Sequence, residues 1–342
     1  MPASKIAPKK TRFKFYNRFG LGLLFLSVIA LVTTACKKAY EVAPLASPAV
    51  SAPSPSPTPS PTKTPVICHP YLAQWGGPGS GDGQFNNPAG IAVDPSGFVY
   101  VADMNNHRVQ KFTDMGAYVS QWTDNGGYVS PVGIALDGSG NVWVADLGGN
   151  VWETTNMGTP ITQWGTAGNG PIGITLDPSN DVYVAFRLSN QVIKYAGDGT
   201  TLGSWGASSP AAGSADGSFN NPHGLVVNPS GDVAVADLGN DRLQVFDPSG
   251  AFLLKWGAPG YGTGQMEQPN FIAVDPAGNF YVTDNTNDNV SVFTGTGTFT
   301  CSFGSYGTGP GQLTNPWGIA LDTSGNIFVS DYANNRIEKF GP

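Results

Sequence analysis

Histidine and cysteine are scarce, three of each in 342 residues, and only 12% of the side chains are charged. The histidines are His69, His107 and His223, too few and too scattered to match a catalytic zinc centre, which usually takes three protein ligands. No His-x-x-x-His pair, nucleophile elbow or phosphate-binding loop occurs, so no motif points to a metalloprotease, serine hydrolase or nucleotidase. Cations are also few. Six of the 17 basic residues (Lys5, Lys9, Lys10, Arg12, Lys14 and Arg18) fall in the first 35 positions, which hold no acid. Downstream, 11 basic residues face 24 acidic ones, a net charge of −13, which repels phosphate and argues against a nucleic-acid partner. A long hydrophobic run is missing too: Phe19 to Val32 gives 14 residues, short of the roughly 20 that span a bilayer comfortably, so a retained transmembrane anchor is the second reading of this run.

What is abundant is glycine and proline, 46 and 28, together with 18 Phe, 12 Tyr and 8 Trp. That much turn-forming residue excludes a helical bundle, while the aromatic content suffices for a large core. An all-β chain dense in turns is the expectation.

Residues 1–35 pair a basic stretch with a short apolar run and end in Thr33-Thr34-Ala35 before Cys36, the pattern of a secretory signal. Ala35-Cys36 resembles the lipobox of bacterial lipoproteins, with Thr33 where that family usually has Leu; the resemblance implies cleavage before Cys36 and its lipidation. Lys37, rather than Asp, then points to the outer membrane. Residues 36–65 follow as a tether, because Ser47 to Pro65 carries seven prolines and no large aromatic side chain. Such a segment favours extended polyproline II and holds the next domain, residues 66–342, away from the surface.

That domain repeats itself. NPAGIAVDPSGFVYVADMNNHRVQKF from Asn87 recurs from Asn221 and Asn315, with three weaker copies between. Marker prolines at Pro88, Pro131, Pro171, Pro222, Pro269 and Pro316 are spaced by 43, 40, 51, 47 and 47 residues, a period that suits four-stranded propeller blades. Alternation gives an inner strand (GIAVD), a D-P-S-G turn, a second strand (VYVAD), a third (RVQKF) and a fourth ending in an aromatic. The sixth copy stops after its third strand, whereas Tyr71-Leu72-Ala73-Gln74-Trp75 precedes any inner strand and matches Tyr118-Val119-Ser120-Gln121-Trp122. The expected fold is therefore an all-β, six-bladed β-propeller with four-stranded antiparallel blades, closed by residues 71–75 completing the last blade.

GSGDGQFNNPAGIAVDPSGFVYVADMNNHRVQKF resembles the NHL repeat, over about residues 71 to 340. The resemblance implies the propeller fold; for function it implies less, since such propellers include sensor domains, RNA-binding domains, an amidating lyase and, more distantly, lactonases.

Asp103, Asp146, Asp237, Asp284 and Asp331 end the second strands. A ring of carboxylates could bind metal, yet Asn106 and Arg108, Asn240 and Arg242, and Asn334 and Arg336 follow at fixed offsets, the composition of a self-braced turn. Departures from the repeat are more informative. Phe186 and Arg187 stand where Asp is expected and next to it, Phe271 replaces Gly, and the residues after the marker prolines read Ala89, Val132, Ile172, His223, Asn270 and Trp317. Phe186, Arg187, His223, Asn270 and Trp317 are thus expected to share one face and bind a protein, peptide or glycan partner. The chain reads as a monomeric, lipid-anchored, non-catalytic scaffold with no cofactor. The alternative is a lactonase or lyase using calcium or another metal in the central channel. Cys301 alternates onto the face of Phe299 and Phe303 and is expected as a buried thiol, with a disulfide to Cys68 as the other outcome.

Overall fold

The computed structural model of the chain describes residues 68–123, 127–165, 170–206 and 212–342. Cys36, the signal segment and the proline-rich tether lie outside the described residues.

Twenty-four strands form six separate four-stranded antiparallel sheets. The first blade runs Pro88–Val93, Val99–Asp103, Arg108–Phe112 and Tyr118–Trp122, from the inner strand outwards. The next four blades repeat that order, with inner strands Pro131–Leu136, Pro171–Leu176, Pro222–Val227 and Pro269–Val274. The last supplies only Pro316–Leu321, Ile327–Asp331 and Arg336–Phe340; its outer strand is Tyr71–Gly76, with Tyr71 opposite Phe340 and Trp75 opposite Ile337. Ring closure by the first strand is thus realised, and Gly76 extends the expected segment by one residue.

Local chemistry explains the blade. In the first-to-second strand turn, Oδ1 of Asp94 accepts from the backbone of Ser96 and Phe98, and Gly97 adopts φ +88°, which only glycine takes without strain. The second strand is buried along its whole length in every blade, so it reads as a continuous apolar run. The outer strand alternates half-buried and exposed residues, because only one of its faces meets the neighbouring blade.

Blades meet closely around the axis. A Cβ on Gly90 would collide with the Val132 carbonyl oxygen, and one on Gly318 with that of Ala89, so glycine lets neighbouring inner strands approach. Between blades, a left-handed residue before each of four marker prolines donates its backbone N–H to the preceding blade: Asn87 to Asn335, Asn221 to Asn190, Gln268 to Asp241 and Asn315 to Asp288, at 2.7–2.9 Å. His107 holds the corresponding joint, its Nδ1 lying 2.6 Å from the Val129 carbonyl oxygen.

Cys301 is not a free thiol. It forms a disulfide with Cys68, with Cα atoms 6.5 Å apart and a sequence separation of 233. Alternation places Cys301 correctly but does not show that the chain ahead of the closing strand passes beside the fifth blade's outer strand. His69 packs there against Tyr281 and Phe303 and approaches the Gly341 carbonyl oxygen at 2.9 Å, so this segment is clasped to the fifth and sixth blades.

Candidate functional site

Each marker proline pairs directly with the residue ending the second strand: Pro88 with Asp103, Pro171 with Phe186, Pro222 with Asp237 and Pro316 with Asp331. The proline slots and second-strand ends therefore share one face, as the repeat arithmetic implied.

The recurring aspartates are turn braces. Asp103 is fully buried and accepts from the Asn86 backbone, Asn106, Arg108 and Gln110 at 2.7–3.0 Å. Arg108 carries the brace further, donating to the carbonyl oxygens of Ser80, Gly81 and Gln84 in the loop leading into the blade. Asp237 with Arg242 and Asp331 with Arg336 repeat this bolt. The second blade has no such arginine, and Asp146 caps the backbone N–H groups of Val129, Ser130 and Gly148 instead. Asp284, likewise lacking an Arg partner, is pushed up to about 6 by burial.

Phe186 leaves the expected binding set on this geometry. Its position is buried in every blade; where Asp fills it with hydrogen bonds, Phe186 fills it with apolar contacts against Tyr195, at zero exposure. The substitution acts inward because the slot itself points inward.

The other expected residues come together. His223 Nδ1 lies 2.8 Å from Asn270 Oδ1, and the His223 ring meets the Trp317 indole edge-on at 6.2 Å between centroids. Trp317 stacks on Tyr332 at 4.6 Å and 15° and donates its Nε1–H to Asn315 Oδ1 at 3.0 Å. Burial lowers the His223 pKa to about 4, opposed by the Asn270 hydrogen bond and aided by the positive charge of Arg187, so the imidazole is neutral at physiological pH. With the amide oxygen accepting, the His223 proton sits on Nδ1 and Nε2 keeps its lone pair. That Nε2, Asn270 Nδ2 and Arg187 Nε are all buried polar atoms without a hydrogen-bond partner. Such atoms cost about 1–3 kcal/mol each when they are left without a partner.

Seen around the axis, blades one to three contribute Ala89, Val132 and Ile172 with Met104 and Leu147, an apolar arc. Blades four to six contribute His223, Asn270, Trp317 and Tyr332, a polar and aromatic crescent. Two hydroxyls tie this crescent's backbone together where the first four blades have alanine: Thr283 donates to the Trp317 carbonyl at 2.6 Å, and Ser330 to that of Ala89 at 2.5 Å. Tyr332, Thr283 and Ser330 were not singled out from sequence; the signal for Thr283 and Ser330 was a repeat position held by Ala in the first four blades, whereas the position of Tyr332 varies among Met104, Leu147, Arg187, Leu238 and Asn285.

A cavity of about 510 Å³ lies at the other end of the inner strands, lined by Asp137, Asp177, Asn228, Asp275 and Asp322. Its acids brace their own turns: Asp137 accepts from Ser139 and Asn141, and Asp322 from Ser324 and Asn326. The candidate site is therefore placed at the crescent, where His223, Asn270 and Trp317 meet. Ligand-type atoms of Cys68, His69 and Cys301 also cluster within 4.8 Å, with both sulfurs bonded to each other.

Six four-stranded antiparallel sheets, joined through the first strand, define the molecule as a closed six-bladed β-propeller. Four of its blades carry NHL repeats, at residues 85–112, 219–246, 266–293 and 313–340. The second and third blades, where Arg gives way to Asn150 and Asp to Phe186, lie outside the matched stretches. A 51-residue stretch, 15% of the chain, is 43% identical to the B-box type zinc finger protein ncl-1 of Caenorhabditis elegans and spans 6% of that protein. Among solved structures, a virginiamycin B lyase from Staphylococcus aureus with quinupristin is 17% identical, with 78% of this chain and 82% of that one covered and a TM-score of 0.56. A gluconolactonase from Xanthomonas campestris is 14% identical, covering 76% and 87%, with a TM-score of 0.57. At these identities the likeness is one of fold.

Proposed function

We propose that the propeller is a non-catalytic binding module that holds a protein, peptide or glycan partner on the crescent of His223, Asn270, Trp317 and Arg187, displayed from a lipid on Cys36 at the cell envelope. The observation that carries this reading is the set of three buried, unpartnered polar atoms beside a stacked indole. Aromatic side chains anchor binding surfaces because they bury much area with few torsions to fix, and Arg because its planar guanidinium both stacks and donates several hydrogen bonds. The second-strand acids lie deep in turn braces, and the crescent's histidine is oriented by an amide rather than by a carboxylate that would raise its basicity, which suits recognition better than proton transfer.

The lyase and gluconolactonase of like fold motivate the competing reading of a metal-dependent channel enzyme. Metal analysis of purified protein, paired with lactone hydrolysis assays, separates the two. The binding reading expects no stoichiometric calcium or zinc tied to turnover; a stoichiometric metal whose removal abolishes hydrolysis would overturn it. Anchoring is checked separately by detergent partitioning, where Cys36→Ser should move the protein to the aqueous phase.

A further inference from the structure

Three blades share one construction. In the first, fourth and sixth, the arginine opening the third strand gives its Nε–H to the buried aspartate and its terminal N–H groups to three carbonyl oxygens of the loop entering the blade, all at 2.7–3.0 Å. In the first blade those oxygens belong to Ser80, Gly81 and Gln84. Four oxygens in a fixed array thus close on one positive charge.

The fifth blade keeps the array and lacks the charge. In its entry loop the Gly260 N–H donates to the Met266 carbonyl, the Gln265 N–H to that of Gly262, and the Gly262 N–H to the Gln265 side chain, as Gly79, Gln84 and Gly81 do in the first blade. The carbonyl oxygens of Tyr261, Gly262 and Gln265 therefore stand towards Asp284 as their counterparts stand towards Asp103. Asn289 faces Asp284 where Arg108 faces Asp103, and Ser291 takes the place of Gln110. An asparagine side chain ends well short of a guanidinium. Among the described residues no side chain donates to those three carbonyl oxygens, Asn287 Nδ2 going to Gly260 and Asp284 instead. Asp103, Asp237 and Asp331 are ion-paired; Asp284, fully buried, has no cationic partner among the described residues. Of the four equivalent asparagines, Asn287 alone has an Oδ1 that is buried without a hydrogen-bond partner. Asn289 is half-buried where the three arginines are buried, which opens the array to small solutes.

We propose that the fifth blade binds a calcium ion between Asp284 and the carbonyl oxygens of Tyr261, Gly262 and Gln265, in the place its sister blades give to a guanidinium. The donors are all oxygen, one of them charged, which selects a hard cation. An array spaced for a guanidinium is too wide for the short bonds of magnesium, whereas calcium accepts longer ones and completes roughly six to eight ligands with water. A single carboxylate sets the affinity at the weak end, about 10⁻⁴ to 10⁻³ M. This inference goes beyond the binding reading and does not depend on it: the ion sits in a blade's entry loop, not in the channel, and braces the chain that runs on to Pro269 and Asn270.

The test is titration of the full chain, in detergent and freed of metal by a chelator, with calcium and with magnesium, read by calorimetry and thermal unfolding. Calcium should bind with one equivalent and, at ten times its Kd, raise the Tm by roughly 2–4 °C; magnesium at the same concentration should do much less. Asn289→Arg installs the sister blades' guanidinium, so it should abolish that calcium binding and raise the Tm of the metal-free protein. Absence of calcium binding by the parent up to about 10 mM, binding undiminished in Asn289→Arg, or an equal response to magnesium overturns the proposal.

Discussion

Glu338 interrupts a pattern that the first and fourth blades, which share its Asp–Arg brace, both keep. In the first blade, Gln110 at the equivalent place accepts from the Gly83 N–H at 3.0 Å and donates to the Gln84 carbonyl and Asp103 Oδ2 at 2.7 and 3.0 Å. Gln244 does the same with Gly217, Ser218 and Asp237. Glu338 keeps the bond from Gly311 at 2.8 Å but has no donor for Asp331, so two carboxylates share one buried brace. Burial raises its pKa from 4.5 to about 7; Asp331 adds to the rise, and Arg336, 2.8 Å away, only partly opposes it. An acid with a raised folded-state pKa contributes stability that is fully present below pH 4.5 and is lost as pH climbs through 7. At about 1.36 kcal/mol per pKa unit, the penalty at pH 8 is at most roughly 3 kcal/mol. Glu338→Gln restores the missing donor. Urea denaturation at pH 8 should show the variant more stable by about 1–3 kcal/mol, with little difference at pH 5 where the native acid is largely protonated. A variant no more stable than the parent at pH 8 would refute the claim that desolvation outweighs the Arg336 contact.

The remaining predictions concern closure. Replacing Cys68 and Cys301 together by serine should cost up to about 5 kcal/mol on the chain-entropy estimate for so long a loop, and the parent protein in reductant should match the variant; equal melting temperatures with and without reductant would reject a stabilising clasp. Deleting residues 66 to 76 removes the outer strand of the last blade and should unfold or oligomerise the domain, as gel filtration would show; a monomeric truncation with unchanged melting would contradict the role of that strand.

The repeat made the propeller legible because each blade is a local unit: its turns, alternation and marker residues lie within about 40 to 50 residues, and their count gives the blade number. Ring closure was legible for the same reason, since the surplus outer strand at one end matched the deficit at the other. The aspartates were legible as braces because Asn and Arg followed at fixed offsets. The site was legible only in part. His223, Asn270 and Trp317 announced themselves by breaking the slot pattern, whereas Phe186 misled, because a broken pattern does not say which way the side chain points; its slot is buried in every blade.

What the sequence by itself determined, then, is everything that one repeat specifies about itself: strand order, turn chemistry, blade count and the strand that closes the ring. Tertiary structure decided what residues from different repeats do to one another: the Cys68–Cys301 bond across 233 positions, the His223–Asn270 pair 47 residues apart and the edge-on contact of His223 with Trp317. These contacts depend on how blades are rotated about a shared axis, and that rotation is set by the summed packing of all six, which no single repeat encodes.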